Sequence, residues 1–211
     1  MIRAVLFDFG GVILASPFEA FADYERARGL PEAFIRGLNT KNPDTNAWAR
    51  LERNEVSFDE FCALFEAEAE AAGHRIDARD MLALISGDVR PAMVEAVRRC
   101  KKAGLLIGML TNNWVSLDAR DSSITAPERD DVLELFDVII ESSKVGVRKP
   151  DPRFYELACE ALAIEPSEAV FLDDLGINLK PARAMGMTTI KVTDPDAAIA
   201  ELESVVGFPL R

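Results

Sequence analysis

The hydrophobic positions of the chain fall into two patterns. Short, nearly unbroken apolar runs occur at 2–7, 105–110, 138–140, 169–172 and 188–192. A strand buried on both faces reads as a continuous apolar run, so these segments predict five parallel strands. Between most of them the spacing is helical. Met93, Ala96, Val97 and Cys100 fall at i, i+3, i+4 and i+7, as do Phe154, Leu157, Ala158 and Ala161. Asp151-Pro152 supplies an N-cap and a first-turn proline to the second of these helices, and Asp194-Pro195 repeats the device before Ile199, Leu202 and Val206. Strands alternating with helices predict an α/β fold with a parallel sheet.

One long stretch breaks the alternation. Between the first and second strands the pattern is helical, with segments at 18–28, 31–38, 45–53, 58–72 and 78–85. Phe58, Phe61, Cys62 and Phe65 make one apolar face of the fourth segment, while Asp59, Glu60, Glu66, Glu68 and Glu70 read as its solvated face. The chain thus divides into an α/β core, 1–15 and 88–211, and a helical insert, 16–87, placed to lie as a lid over the strand ends. The polar stretch 118–131 reads as a mobile loop.

Composition narrows the function. The chain has 211 residues, 49% hydrophobic and 28% charged, which is ordinary globular usage. With 24 basic against 36 acidic residues the net charge is −12, so binding to nucleic acid or to an anionic membrane is disfavoured. Cys62, Cys100 and Cys159 are odd in number and widely spaced, and His74 is the only histidine. A disulfide framework or structural zinc site is not expected, and a reducing, cytoplasmic setting is. No apolar run has transmembrane length, and Asp8 interrupts the N-terminal run too early for a signal-peptide core. With one histidine and no GxSxG elbow, carboxylates are left to carry any chemistry.

Ligands of open α/β sheets bind at the carboxyl ends of the strands. The first run is followed there by Asp8-Phe9-Gly10-Gly11-Val12, the second by Thr111-Asn112-Asn113 and the fourth by Asp173-Asp174; Lys149-Pro150 precedes the helix capped by Asp151. Each has an ordinary reading: a turn aspartate, strand-end capping, a surface lysine. Adjacent carboxylates beside a buried strand, however, repel unless a cation compensates. Together, three carboxylates, a hydroxyl, an amide and one lysine on a single sheet rim make an oxygen-rich site suited to Mg²⁺ and phosphoryl transfer.

These residues resemble the motifs of the haloacid dehalogenase (HAD) superfamily. Asp8 to Val12 is similar to its first motif, Leu110-Thr111-Asn112 to its second, Lys149-Pro150-Asp151-Pro152 to its third and Phe171-Leu172-Asp173-Asp174 to its fourth. The stretches Thr111-Asn112-Asn113-Trp114 and 171–187 look most like the N-terminal phosphatase-like domain of soluble epoxide hydrolases, and the tail from Thr189 is similar to the HAD-like domain of acyl-CoA dehydrogenase family proteins. The resemblance implies a Rossmannoid core with a C1-type cap. It also implies an Asp8 nucleophile, and Mg²⁺ held by Asp8, the Gly10 carbonyl and Asp174. Asp173 would orient waters or Lys149, Thr111 and the Asn112 backbone would hold the phosphoryl oxygens, and Lys149 would neutralise charge. The implied function is a Mg²⁺-dependent phosphatase acting on a small phosphorylated substrate.

One position departs from the pattern. Family phosphatases carry a second Asp two residues after the nucleophile as general acid and base, and here Gly10 stands in that place. A catalytically decayed binding module is therefore an alternative. A metal-independent dehalogenase is another, opposed by Asp173-Asp174. Phe18, Phe21 and Trp48 either line an apolar substrate pocket or pack the insert.

Overall fold

The computed structural model describes residues 1–85, 88–114 and 131–211. Five parallel strands form one sheet in the order β3-β2-β1-β4-β5: β1 Ala4–Phe7, β2 Leu106–Thr111, β3 Val138–Glu141, β4 Ala169–Asp173 and β5 Thr188–Lys191. Each strand lies within two residues of its expected run. Three of them extend one residue further, because Thr111, Glu141 and Asp173 stay in the ladder despite being polar.

The sheet is covered on both faces. Val5 and Phe7 of β1 point to one side and pack with α6 (Pro91–Lys102) and α10 (Pro195–Val206). Ala4 and Leu6 point to the other and pack with α8 (Pro152–Leu162) and α9 (Gly176–Ala184). This alternation follows from the two-residue period of a strand. The expected caps are present: Asp151 accepts from the Arg153 N–H, and Asp194 from the Ala197 N–H. A wide helical turn at Phe9–Ile13 and the short helix α7, Ser142–Val145, were not read from the sequence.

Between the turn at Phe9–Ile13 and α6, the described residues form five helices: α1 Pro17–Arg28, α2 Phe34–Thr40, α3 Ala47–Glu52, α4 Phe58–Ala71 and α5 Ala78–Ala83. They enclose a hydrophobic cluster of their own around Phe21, Trp48, Phe61 and Phe65. Phe21 meets Trp48 edge to face at 5.8 Å, and Trp48 meets Phe61 at 5.5 Å, so both Phe21 and Trp48 serve packing of the insert. His74 stacks its edge on Phe34. The chain enters and leaves this unit side by side: Leu14 and Val89 form an antiparallel bridge, and the Ala15 N–H donates to the Asp88 carbonyl. Gly87, at the expected end of the insert, and most of the expected loop 118–131 lie outside the described residues.

The acidic face of α4 is a correction to the sequence reading. Glu68 accepts a hydrogen bond from the Ala47 N–H at 2.8 Å and Glu66 from the Ala78 N–H at 3.0 Å, so these two carboxylates cap the first turns of α3 and α5. Glu25 does the same for α2, accepting from the N–H groups of Ala33 and Ile35 at 2.9 and 2.8 Å. Helices this short are marginal alone, and a carboxylate at the positive end of the helix satisfies otherwise orphaned donors. Because α2 starts from a left-handed Ala33, at φ 57°, it begins at Phe34 and not at the expected 31. Glu25 is buried, so Glu25→Ala leaves the buried Ile35 N–H and the part-buried Ala33 N–H without their acceptor. It should cost about 2–3 kcal/mol. That corresponds to roughly 5–10 °C in a thermal melt; an unchanged midpoint would contradict the capping role.

Candidate active site

The carboxyl ends of β1, β2 and β4 meet at the centre of the sheet, beside the point where strand order reverses. Asp8 follows β1, Thr111 ends β2 and Asp173 ends β4, and all three are buried. Lys149 enters from the segment before α8 and is 1% exposed. Its Nζ lies 2.8 Å from Asp8 Oδ1 and 2.8 Å from Asp173 Oδ2. A lysine this deep is tolerable only when its charge is matched. Burial alone would lower its pKa, but Asp173 and Asp8 outweigh it and hold Lys149 charged.

Three carboxylates gather beside that lysine, two of them paired with it. Asp8, Asp173 and Asp174 each offer an oxygen within 4.8 Å of the others. Burial pushes Asp8 well above the usual carboxylate range, opposed by Lys149 and reinforced by Asp173. Asp174 is pushed up to about 6, first by burial and then by the charge of Asp173. The cluster is short of positive charge.

The three carboxylates are not equivalent. Asp173 is fully engaged: Oδ1 accepts from the Leu175 N–H and from Asn178 Nδ2, and Oδ2 from Lys149 and Asn178 Nδ2. Asp8 uses Oδ1 for the Phe9 N–H and Lys149. Among the described residues, Asp8 Oδ2 and the Asp174 carboxylate receive no hydrogen bond from another residue. These unengaged oxygens, in a cluster with excess negative charge, fit a hard divalent cation such as Mg²⁺.

Gly11 makes room for this arrangement. Its φ is 79°, and a Cβ built there would lie 2.4 Å from Asp174 Oδ2. Gly10 is different, with φ −67° and ψ 131° and open space where a Cβ would go.

Asn112 does more than the sequence suggested. Its side chain accepts from the Lys149 N–H at 2.9 Å and donates to the Lys149 carbonyl at 3.0 Å, fixing the lysine segment against the end of β2. Asn178, in the first turn of α9, was not read as a site residue. It is held in turn by the Tyr155 hydroxyl, which donates to its carbonyl at 2.6 Å. Cys62, Cys100 and Cys159 are free and buried, with burial raising the Cys100 thiol to about 12 and Cys159 to about 11, so no thiolate nucleophile competes with the carboxylates.

A family model for haloacid dehalogenase-like hydrolases matches residues 2–186. The chain belongs to this family. It is 36% identical over 99% of its length both to acyl-CoA dehydrogenase family member 10 of Mus musculus and to bifunctional epoxide hydrolase 2 of Sus scrofa, spanning 20% and 40% of those proteins. It is 35% identical to Phosphatase MT3486 of Mycobacterium tuberculosis, over 88% of this chain and 85% of that protein. The protein is thus a hydrolase-family enzyme with phosphatase relatives. Among the described residues no helix is long and apolar enough to cross a membrane.

The charge imbalance carries a sign that can be checked. The folded-state value of Asp174 lies above its ordinary 3.8, at about 6, so the native metal-free protein binds an extra proton in that window and loses stability as pH rises through it. Asp174→Asn removes the repulsion. After allowance for solvent screening, metal-free Asp174→Asn at pH 7 should gain about 2 kcal/mol. That is roughly 4–8 °C in melting temperature. If Asp174 is a ligand of Mg²⁺, the added ion should stabilise the wild type and not the variant; equal stabilisation of both would remove Asp174 from the candidate ligands.

Proposed function

We propose that the protein is a Mg²⁺-dependent phosphatase acting on a small phosphorylated organic molecule through a phosphorylated Asp8. The observation that carries this reading is the pairing of a buried lysine with Asp8 and Asp173 beside the unengaged oxygens of Asp8 and Asp174. The sequence relative named as a phosphatase supports it.

In this reading Asp8 attacks phosphorus, a bond forms from its carboxylate oxygen, and the bond to the substrate oxygen breaks. Thr111 and the Asn112 N–H hold the phosphoryl oxygens. Lys149 neutralises the charge gathered at Asp8, with Asp173 fixing its ammonium group and Asn178 fixing Asp173. Asp8, the Gly10 carbonyl and Asp174 would hold Mg²⁺, which when bound screens the repulsion between a carboxylate nucleophile and a phosphate anion. Water then cleaves the Asp8–phosphoryl bond, releasing phosphate and restoring the carboxylate. The departing alcoholate must take a proton, and Gly10 has no side chain to give one.

Residues 16–87 act as a cap over the site, turning about the paired segments near Leu14–Pro17 and Asp88–Val89. Closure would exclude water from the phosphoryl group. Structures with and without beryllofluoride should show the insert displaced as a unit; superposition of insert and core alike in both would argue against movement. The activity itself is tested by a phosphate-release screen over phosphorylated metabolites. Release is expected with Mg²⁺ and not without it. Chloride release from haloacids without Mg²⁺, and no phosphate release with it, would replace the phosphatase reading by a dehalogenase.

A further inference from the structure

Two residues that flank the site reach out of the core and into the helical insert. Arg148 is the neighbour of Lys149. Its Nε lies 2.6 Å from Glu52 Oε2 at the end of α3, and its NH1 donates to the Pro43 carbonyl at 2.9 Å. Glu52 is 6% exposed and accepts from Trp48 Nε1 at 2.9 Å through its other oxygen. The Nε–Oε2 contact lacks the alignment of a hydrogen bond, so charge attraction holds it. Trp114, two residues beyond Asn112, lays its ring against Trp48 at 5.5 Å. Asn112 and Lys149 are themselves joined by two hydrogen bonds. The face of α3 that carries Trp48 and Glu52 therefore meets both the segment that follows β2, through Trp114, and the segment that carries Lys149, through Arg148.

We propose that the Arg148–Glu52 ion pair is a strut that couples the docked position of the insert to the position of Lys149, making Arg148 and Glu52 positioning residues for the reaction. The catalytic part of this rests on the phosphatase reading; the docking part does not. Lys149 is held at its head by Asp8 and Asp173 and along its backbone by Asn112. Arg148 adds the only tie among the described residues from this lysine segment to the insert that combines opposite charges. When α3 is seated, the guanidinium is drawn toward Glu52 and the backbone entering Lys149 is fixed. When α3 lifts, that restraint is released. Docking of the insert thereby completes the site in addition to covering it.

The molecule contains its own probe. Its two tryptophans, Trp48 and Trp114, are the two partners across this contact. Their exciton couplet in circular dichroism reports whether α3 is seated, independently of any activity.

Arg148→Met should weaken the couplet. It should also lower kcat for p-nitrophenyl phosphate roughly 10–100-fold, the size of effect that a small misplacement of a catalytic group produces, with little change in KM. Arg148→Lys, which keeps a charge for Glu52, should recover much of both. The single Met variant strands the buried Glu52 charge and could unfold the insert. The pair Glu52→Gln with Arg148→Met avoids this, because it removes both charges and keeps an acceptor for Trp48. The double variant should melt near the wild type and still be slow. An undiminished couplet and kcat in the double variant would overturn the proposal. So would a lost couplet with kcat unchanged, because docking would then not reach Lys149. Should the wild type show no turnover, the phosphatase reading fails by itself. The couplet then decides the docking part: loss in the double variant supports the strut and retention overturns it.

Discussion

Asp8→Asn should reduce turnover of p-nitrophenyl phosphate by roughly 10⁴-fold or more while the protein folds and melts as well as the wild type. An amide occupies nearly the same space as the carboxylate and its oxygen can still accept from the Phe9 N–H. It carries no charge and cannot attack phosphorus. Stability should hold because the substitution removes one of three crowded carboxylates and leaves Lys149 paired with Asp173. Beryllofluoride, a mimic of an acyl phosphate, should bind the wild type and not the variant. Steady-state rates and a thermal melt on the same samples make the check. A folded variant with more than a small residue of activity would show that Asp8 is not the nucleophile.

The second large effect concerns the missing proton donor. The wild type should cleave aryl and acyl phosphates far faster than alkyl phosphates, because a poor leaving group departs slowly without a proton. Gly10→Asp should raise the alkyl rate by up to roughly 10²-fold and flatten the dependence on leaving-group basicity. The backbone permits the change. Gly10 already has a conformation open to any residue, and a Cβ there meets nothing within 4 Å. A side chain adds no obstacle to a metal ligand contributed by the backbone carbonyl. A flat dependence in the wild type would place the acid elsewhere. No turnover by either protein, with Mg²⁺ still bound, would mark a family member that has kept its site for binding alone.

The strands, the two-sided core and the convergence of Asp8, Thr111, Lys149 and Asp173 were legible because each is written locally. A buried parallel strand is apolar along its length, and the residue at its carboxyl end lies beside its neighbours' ends by topology alone. What was not legible is long-range pairing. Glu66 and Glu68 look like solvated charges on a helix until α3 and α5 are placed against α4. Arg148 and Glu52 are an unremarkable basic and an unremarkable acidic residue until the insert is folded onto the core. Asn178 lay in a stretch noted for resemblance, but its partner Asp173 is known only once α9 turns back over the end of β4. The aromatic residues of the insert show the reverse: the spacing of Phe21 and Trp48 already favoured packing over a pocket, and their edge-to-face contacts agree.

The side-by-side crossing of Leu14 and Val89 has an evolutionary and engineering consequence. Because the insert begins and ends at one hydrogen-bonded point, the sheet requires of it only two chain ends at that spacing. A different helical unit, or a tight turn, could be grafted there without shifting β1 or α6. On the cap reading proposed above, the sheet would be a chassis that keeps its chemistry while the exchangeable module sets which molecules are admitted. Chimeras joined at this bridge should preserve the sheet's own stability and differ chiefly in the range of substrates they accept.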